Sequence, residues 1–133
     1  MDGKSMWWED SNMTPREQID KAIGAHGMWK ALLKSAIDTG EREFDPNVVG
    51  TDSSCDFGNW LHGTVAPELR QSPIYKTVLE YHSEFHRIAG RILALALAGK
   101  KDEATKAVSV SSKFATISAV LTTTMIEWKR SLL

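Results

Sequence analysis

An apolar stripe of helical period constrains the fold of this sequence more than any other feature. Between Ser72-Pro73 and Gly99, apolar residues recur at intervals of three and four. This spacing places them on one face of an α-helix, with a serine N-cap, a proline at the first helical position and a glycine at the end. His82 and His86 fall on the same face. The sequence therefore predicts a long helix that carries two histidines towards the interior.

Two further segments have the same helical period. Thr14 begins the first with a capping-box pattern, and its apolar stripe, which includes His26, extends to Gly40. Asp102 is the predicted cap of the last helix, whose stripe extends to Leu132. Strands are not predicted, because the three-four spacing persists through the few β-branched residues.

A short helix is predicted between the long ones, from Cys55 to Leu61. Ser53 or Ser54 is its expected cap, and a long surface loop precedes it at residues 41–54. A loop of that length suggests a functional role. Together the segments predict an all-α fold, an up-down bundle of four to five helices that includes a short helix bearing the cysteine.

Length and composition indicate one domain. The 133 residues are too few for a sensing domain together with a catalytic output domain, so a signal is expected to leave through a partner or an oligomer. We assign residues 1–13 to a flexible leader that contains Trp7 and Trp8, and residues 14–133 to one helical bundle domain. The role of the two tryptophans stays open.

Charge and hydropathy exclude several kinds of partner. The 16 lysines and arginines nearly balance the 17 acidic residues, so neither nucleic acid nor anionic lipid is expected as a ligand. The most apolar stretch, residues 92–98, is far shorter than the roughly 20 residues that span a bilayer, so no membrane insertion is expected. The single cysteine and the lack of a secretory signal at the start lead us to expect a cytoplasmic protein.

Three histidines and the cysteine form a candidate metal site. His82 and His86 are four residues apart on a helix, so both rings can reach one metal ion. His26 lies on the core face of the first helix, where a buried imidazole needs a partner. Cys55 opens the short helix that packs on the same bundle, and a thiolate with imidazoles suits zinc. Four such ligands complete a tetrahedron.

Other interpretations of these residues stay open. His62 lies two helical turns after Cys55 and could replace another ligand, although it also fits a solvated surface position. Cys55 could be a buried thiol without a metal. The flanking residues can serve as an apolar shell around the ligands or as plain core packing: Trp29, Phe57, Gly58 and Trp60.

The motifs around these residues resemble those of the chemoreceptor zinc-binding domain family, found on bacterial chemoreceptors and diguanylate cyclases and also standing alone. The matching segments are His26-Gly27-Met28-Trp29, Cys55-Asp56-Phe57-Gly58-Asn59-Trp60 and His82-Ser83-Glu84-Phe85-His86. Their order and intervals also agree with the family pattern. The resemblance implies a homodimeric helical bundle in which one zinc ion is bound by four residues: His26, Cys55, His82 and His86.

The resemblance also sets the functional expectation. It implies a zinc-binding sensory or regulatory module of bacterial signalling, which responds to zinc occupancy and to oxidation of Cys55 and acts on an output domain or partner protein. The alternative is a purely structural zinc-stabilised bundle that mediates dimerisation. An enzyme is not expected, because four protein ligands leave no open position on the zinc. A di-iron bundle of the hemerythrin type would need more histidines and bridging carboxylates.

Overall fold

The computed structural model of the chain describes residues 13–40 and 44–132. The predicted leader with Trp7 and Trp8 lies outside the described residues, apart from Met13. Within the described ranges the chain forms α-helices and a 3-10 turn, and no β-strand. The predicted all-α bundle is therefore confirmed.

The helices follow one another as α1 (Pro15–Gly27), α2 (Trp29–Thr39), α3 (Pro46–Val49), α4 (Asp56–His62), α5 (Pro67–Arg70), α6 (Pro73–Leu97), α7 (Lys101–Ala107) and α8 (Lys113–Ser131). The 3-10 turn, Asp52–Ser54, leads into α4. Helix α6 is central, because it packs against α8, α3, α2 and α7, while α1 packs against α8 and α4. No helix within the described ranges is long and apolar enough to cross a membrane.

The first predicted helix begins as expected but is divided in two. The Thr14 hydroxyl accepts from the Glu17 amide at 3.1 Å and the Glu17 carboxylate accepts from the Thr14 amide at 2.8 Å, which confirms the capping box. Helix α1 ends at Gly27, and Met28 separates it from α2. Glycine has a low helix propensity, which explains a break at Gly27 that the apolar spacing did not reveal.

The last predicted helix is also two helices. Helix α7 ends at Ala107, and the Ser112 hydroxyl caps α8 by accepting from the Ala115 amide at 3.2 Å. The residues between them are valines, which lose side-chain freedom in a helix, and serines, which favour caps and turns. The predicted surface loop likewise contains α3, whose N-cap Asp45 accepts from the Asn47 amide at 2.8 Å.

A backbone contact without intervening side chains joins α3 to α6. A Cβ atom built on Gly90 would lie 2.7 Å from the Gly50 Cα and 2.7 Å from the Pro46 carbonyl oxygen. Gly90 follows His86 by one helical turn, so this contact holds the α3 turn directly beside that histidine. The two glycines therefore set how closely the loop approaches the interior of the bundle.

We predict that Gly90→Ala destabilises the protein by about 1–3 kcal/mol, as overpacking of a tight contact does, despite the better helix propensity of alanine. Thermal or urea denaturation measures the change. Gly24→Ala in α1 is the matched control, because a Cβ there meets nothing within 4 Å. It should leave stability unchanged or raise it. Equal stability of the two variants would contradict the contact.

Candidate metal centre

Four side chains from three helices converge at one point inside the bundle. Helix α1 supplies one histidine, α6 supplies two, and the residue that begins α4 supplies the sulfur. One ligand atom from each lies within 4.8 Å of the others: His26, Cys55, His82 and His86. The structure thus brings together the four residues that the sequence predicted as ligands. All three histidines are buried, and Cys55 is partly buried.

The spacing of the donor atoms fits one tetrahedral zinc ion. The Nε2 of His26 lies 3.0 Å from that of His82 and 3.4 Å from that of His86. The Cys55 Sγ lies 3.3 Å from the His82 Nε2 and 3.4 Å from the His86 Nε2. Zinc bonds of about 2.0–2.1 Å to nitrogen and 2.3 Å to sulfur give tetrahedral edges of about 3.3 Å and 3.5 Å. These four edges agree with the two values to within about 0.3 Å, and the remaining pairs of ligand atoms lie within 4.8 Å of each other.

Two of the histidines are oriented by backbone carbonyls. The His26 Nδ1 donates to the Ala22 carbonyl at 2.8 Å, and the His86 Nδ1 donates to the Val49 carbonyl at 2.9 Å. A carbonyl only accepts, so each Nδ1 carries the proton and each Nε2 of the neutral ring presents a lone pair. Lone pairs that converge at this distance repel each other unless a cation lies between them. The donor set is therefore that of a metal site.

His82 differs from the other two histidines. Its Nδ1 is buried and makes no hydrogen bond within the described part of the chain. The Asp52 carboxylate lies 4.0 Å from it and also lies 3.0 Å from the Nε2 of His62. His62 itself is outside the ligand cluster, with its side chain about half exposed. Sequence reasoning missed Asp52, because nothing in its local pattern shows that the 3-10 turn reaches α6.

Burial keeps the imidazoles neutral, which is the metal-binding form. Burial lowers the pKa of His26 to about 4 and that of His82 to about 2, and it also lowers the pKa of His86. Burial raises the pKa of the Cys55 thiol, while the hydrogen bond from the Gly58 amide acts in the opposite direction. Zinc must therefore displace a proton from the sulfur when it binds.

Cys55 is itself the N-cap of α4. Its sulfur accepts from the Gly58 amide at 3.3 Å, so the expectation that Ser53 or Ser54 caps this helix is wrong. The Ser54 hydroxyl instead donates to the Thr51 carbonyl at 2.6 Å. Amides in the first turn of a helix lack an acceptor within the helix. The Cys55 sulfur accepts from the Gly58 amide, three residues later, as an N-cap does.

Gly58 allows the 3-10 turn to approach α4 closely. A Cβ atom at this position would lie 1.7 Å from the Asp52 carbonyl oxygen, a distance that no side chain can occupy. It would also lie 3.2 Å from Cε1 of His82. The glycine of the Cys-x-Phe-Gly-x-Trp segment therefore serves the packing of the turn against the ligands.

Aromatic rings surround the ligands on the side of α4 and α6. The Phe57 ring centroid lies 5.2 Å from that of His82, and Trp60 stacks on Phe57 at 5.7 Å. Phe85, which the sequence did not single out, lies 5.2 Å from His26. Trp29, by contrast, begins α2 and packs against Phe44 at 5.4 Å. These rings shield the histidines from water on the side of α4 and α6.

We predict one zinc ion per chain, lost in Cys55→Ala and in His82→Ala because each removes a tetrahedral ligand from a buried site. Elemental analysis after purification without added zinc measures the content. Ser83→Ala, at an exposed position of α6 next to His82, is the control and should retain the metal. Full retention of one tightly bound zinc in either ligand variant would contradict the assignment.

Comparison with known proteins agrees with this geometry. The sequence model of the chemoreceptor zinc-binding domain matches residues 26–93, just over half of the chain, a range that includes all four ligand residues. No curated protein and no solved structure shows a significant match to the chain. The family match and the four assembled donors together confirm zinc as the cofactor. The chain therefore belongs to the chemoreceptor zinc-binding domain family, whose members are zinc-binding signalling modules.

Proposed function

We propose that this chain is a cytoplasmic sensory module of bacterial signalling, in which the zinc site changes state through the segment that bears Cys55. The observation that carries the proposal is the unequal anchoring of the ligands. His26, His82 and His86 lie within helices of 13 and 25 residues and are at most 5% exposed. Cys55 instead follows a 3-10 turn of three residues and is partly exposed. Local opening favours segments with few buried contacts.

The part of this segment that moves is the turn and not the whole of α4. Thr51, Ser53, Ser54 and Asp56 are exposed. Three apolar side chains further along α4 are buried and hold that helix in the core: Phe57, Trp60 and Leu61. Exposing them would cost about 1.5–3 kcal/mol for each side chain. Displacing residues 51–56 therefore costs less free energy than displacing any other part of the site.

Two signals can act on the sulfur. Loss of zinc removes the bond that holds Cys55 against His82 and His86. Oxidation does the same, because a zinc-bound thiolate stays nucleophilic. With hydrogen peroxide, the thiolate sulfur bonds to one oxygen, the O–O bond breaks, the other oxygen leaves as hydroxide, and the sulfur becomes a sulfenic acid. A cavity of about 310 Å³ borders the site and is lined in part by His26 and Cys55, which leaves room for such a small molecule.

The proposal assigns no catalytic role to the zinc. The four donors already account for a tetrahedral coordination sphere, and catalytic zinc needs an open position. A reducing cytoplasmic setting belongs to the proposal, since a lone thiol stays available as a ligand there. The rival function is a static zinc site that only stabilises the bundle and supports dimerisation. Local stability with and without zinc separates the two.

We expect the amides of residues 53–58 to exchange hydrogen faster after zinc chelation and after peroxide treatment, because Cys55 no longer fixes the turn. The Gly58 amide is the direct reporter, since it donates to the Cys55 sulfur. Amides of α6 around His82 and His86 should change less. Mass spectrometry or NMR of the exchanging protein measures both regions.

Cys55→Ser is the control for the redox part, because it lacks the oxidisable sulfur. Peroxide should leave its exchange unchanged. If residues 53–58 of the wild-type protein are as well protected without zinc as with it, the proposed switch does not exist. The static structural site would then be the correct interpretation.

We further propose that two copies of the chain pair and pass the change to an output domain or partner protein. Family membership supports this, because the resemblance implies homodimers. Among the residues that the structure describes, three large apolar side chains are also exposed: Met28, Val48 and Val110. Covering solvent-exposed apolar side chains with a partner lowers the free energy of the system.

We expect light scattering at tens of micromolar protein to give twice the mass of a single chain, because pairing buries apolar surface. Zinc-loaded and chelated samples should be compared, since a change of state in the site can alter the pairing. A strictly monomeric mass in both samples would reject the homodimer.

A further inference from the structure

We propose that Asp52 is a positioning residue of the zinc site, and that its carboxylate holds the Nδ1–H of His82. This inference rests on the zinc site alone and not on the sensory function proposed above. It concerns the one ligand histidine that lacks a second partner. Metal-binding histidines nearly always donate their other N–H group, which fixes the ring and makes it a better ligand.

The three histidines are supported unequally. The Nδ1 groups of His26 and His86 donate to backbone carbonyls at 2.8 Å and 2.9 Å. The Nδ1 of His82 is fully buried and unpaired among the described residues. An unpaired buried donor loses its hydrogen bonds to water and gains none in return. The Asp52 carboxylate at 4.0 Å faces this atom. A small rotation of its side chain brings the oxygen within hydrogen-bonding range.

The backbone of Asp52 is held in place, and its carboxylate is held near His82. Its carbonyl oxygen lies where a Cβ of residue 58 would be, and it accepts from the Cys55 sulfur at 3.6 Å. Its carboxylate accepts from the Nε2 of His62 at 3.0 Å. His62 therefore keeps the carboxylate at the rim of the site, next to His82.

Charge balance favours a carboxylate at this position. A zinc dication with one thiolate and three neutral imidazoles keeps one positive charge in a buried place. Asp52 supplies the compensating negative charge, and its side chain is only 19% exposed. The other acidic residue of this segment, Asp56, has a side chain 78% exposed and pairs with Lys21 at 3.8 Å. The Asp56 carboxylate is thus largely exposed to solvent, where its charge is screened.

Asp52 and Cys55 lie in the same short segment, the 3-10 turn and the residue that follows it. One segment therefore carries a zinc ligand and the group that orients a second ligand on α6. Displacement of this segment therefore weakens two of the four bonds to the zinc ion. The position of the turn therefore affects zinc affinity more strongly than it would if the turn carried only the sulfur ligand.

A competition titration of the full chain against a zinc chelator of known affinity tests the role. We expect Asp52→Ala to weaken zinc binding by about 10- to 100-fold, as loss of such a partner does, and Asp52→Asn to weaken it as well. Asp56→Asn is the matched control, since it removes the same charge one residue from Cys55. Its affinity should equal that of the wild-type protein.

Unchanged affinity in Asp52→Ala would overturn the inference, as would an equal loss in Asp56→Asn and Asp52→Asn, because a general charge effect would then explain both. The failure of zinc binding in the wild-type protein itself would instead reject the zinc site. The two failures are therefore distinguishable.

Nitrogen-15 NMR of the imidazoles in the zinc-loaded wild-type protein gives a second readout that needs no variant. We expect the His82 Nδ1 proton to exchange slowly with water and to shift downfield, as a proton held by a carboxylate does. In Asp52→Asn the same resonance should move, while those of His26 and His86 stay in place. A His82 proton that exchanges as fast as that of exposed His62 would overturn the inference.

Discussion

Three neutral imidazoles point their lone pairs at one place in an apolar core, and this arrangement organises the rest of the molecule. The Nε2 lone pairs of His26 and His86 lie 3.4 Å apart and repel each other until a cation fills the space, and the Nε2 of His82 lies 3.0 Å from that of His26. The opposite ring nitrogens of His26 and His86 are held by backbone carbonyls, so the rings cannot turn away without losing a hydrogen bond. The ligand atoms are therefore arranged to bind a metal ion, and the surrounding helices fix the positions of these atoms.

The zinc ligands connect parts of the chain that are far apart in sequence. His26 and His86 are 60 residues apart, and Cys55 lies between them. Metal binding joins α1, α4 and α6 in one step, and its free energy adds to folding because the unfolded chain has no preformed site. The apolar contacts of Phe57 and Phe85 with the histidine rings then exclude water. In this way metal chemistry and core packing stabilise the same three helices.

The sequence predicted the parts of this structure that repeat along the chain. The helical period identified α6 and both of its histidines, and the spaced motifs identified His26 and Cys55. The breaks at Met28 and between α7 and α8 were missed, because an apolar stripe continues across a change of helix direction. Asp52 was missed for another reason. Its importance comes from neighbours far away in sequence, and no local pattern encodes such proximity. The role of Cys55 as a cap escaped because cysteine is seldom found at an N-cap.

The Cys55 sulfur completes the metal site and also caps the first turn of α4. Because of these two roles, the number of residues is fixed after Cys55 but not before it. An extra residue between Cys55 and Gly58 would rotate the helix by about 100° relative to the sulfur and separate cap from ligand. Extra residues between α2 and α3 do not alter the spacing of Cys55 and Gly58, and lengthening a loop adds little entropic cost. Insertions and deletions in related sequences should therefore gather before the 3-10 turn and be excluded after it.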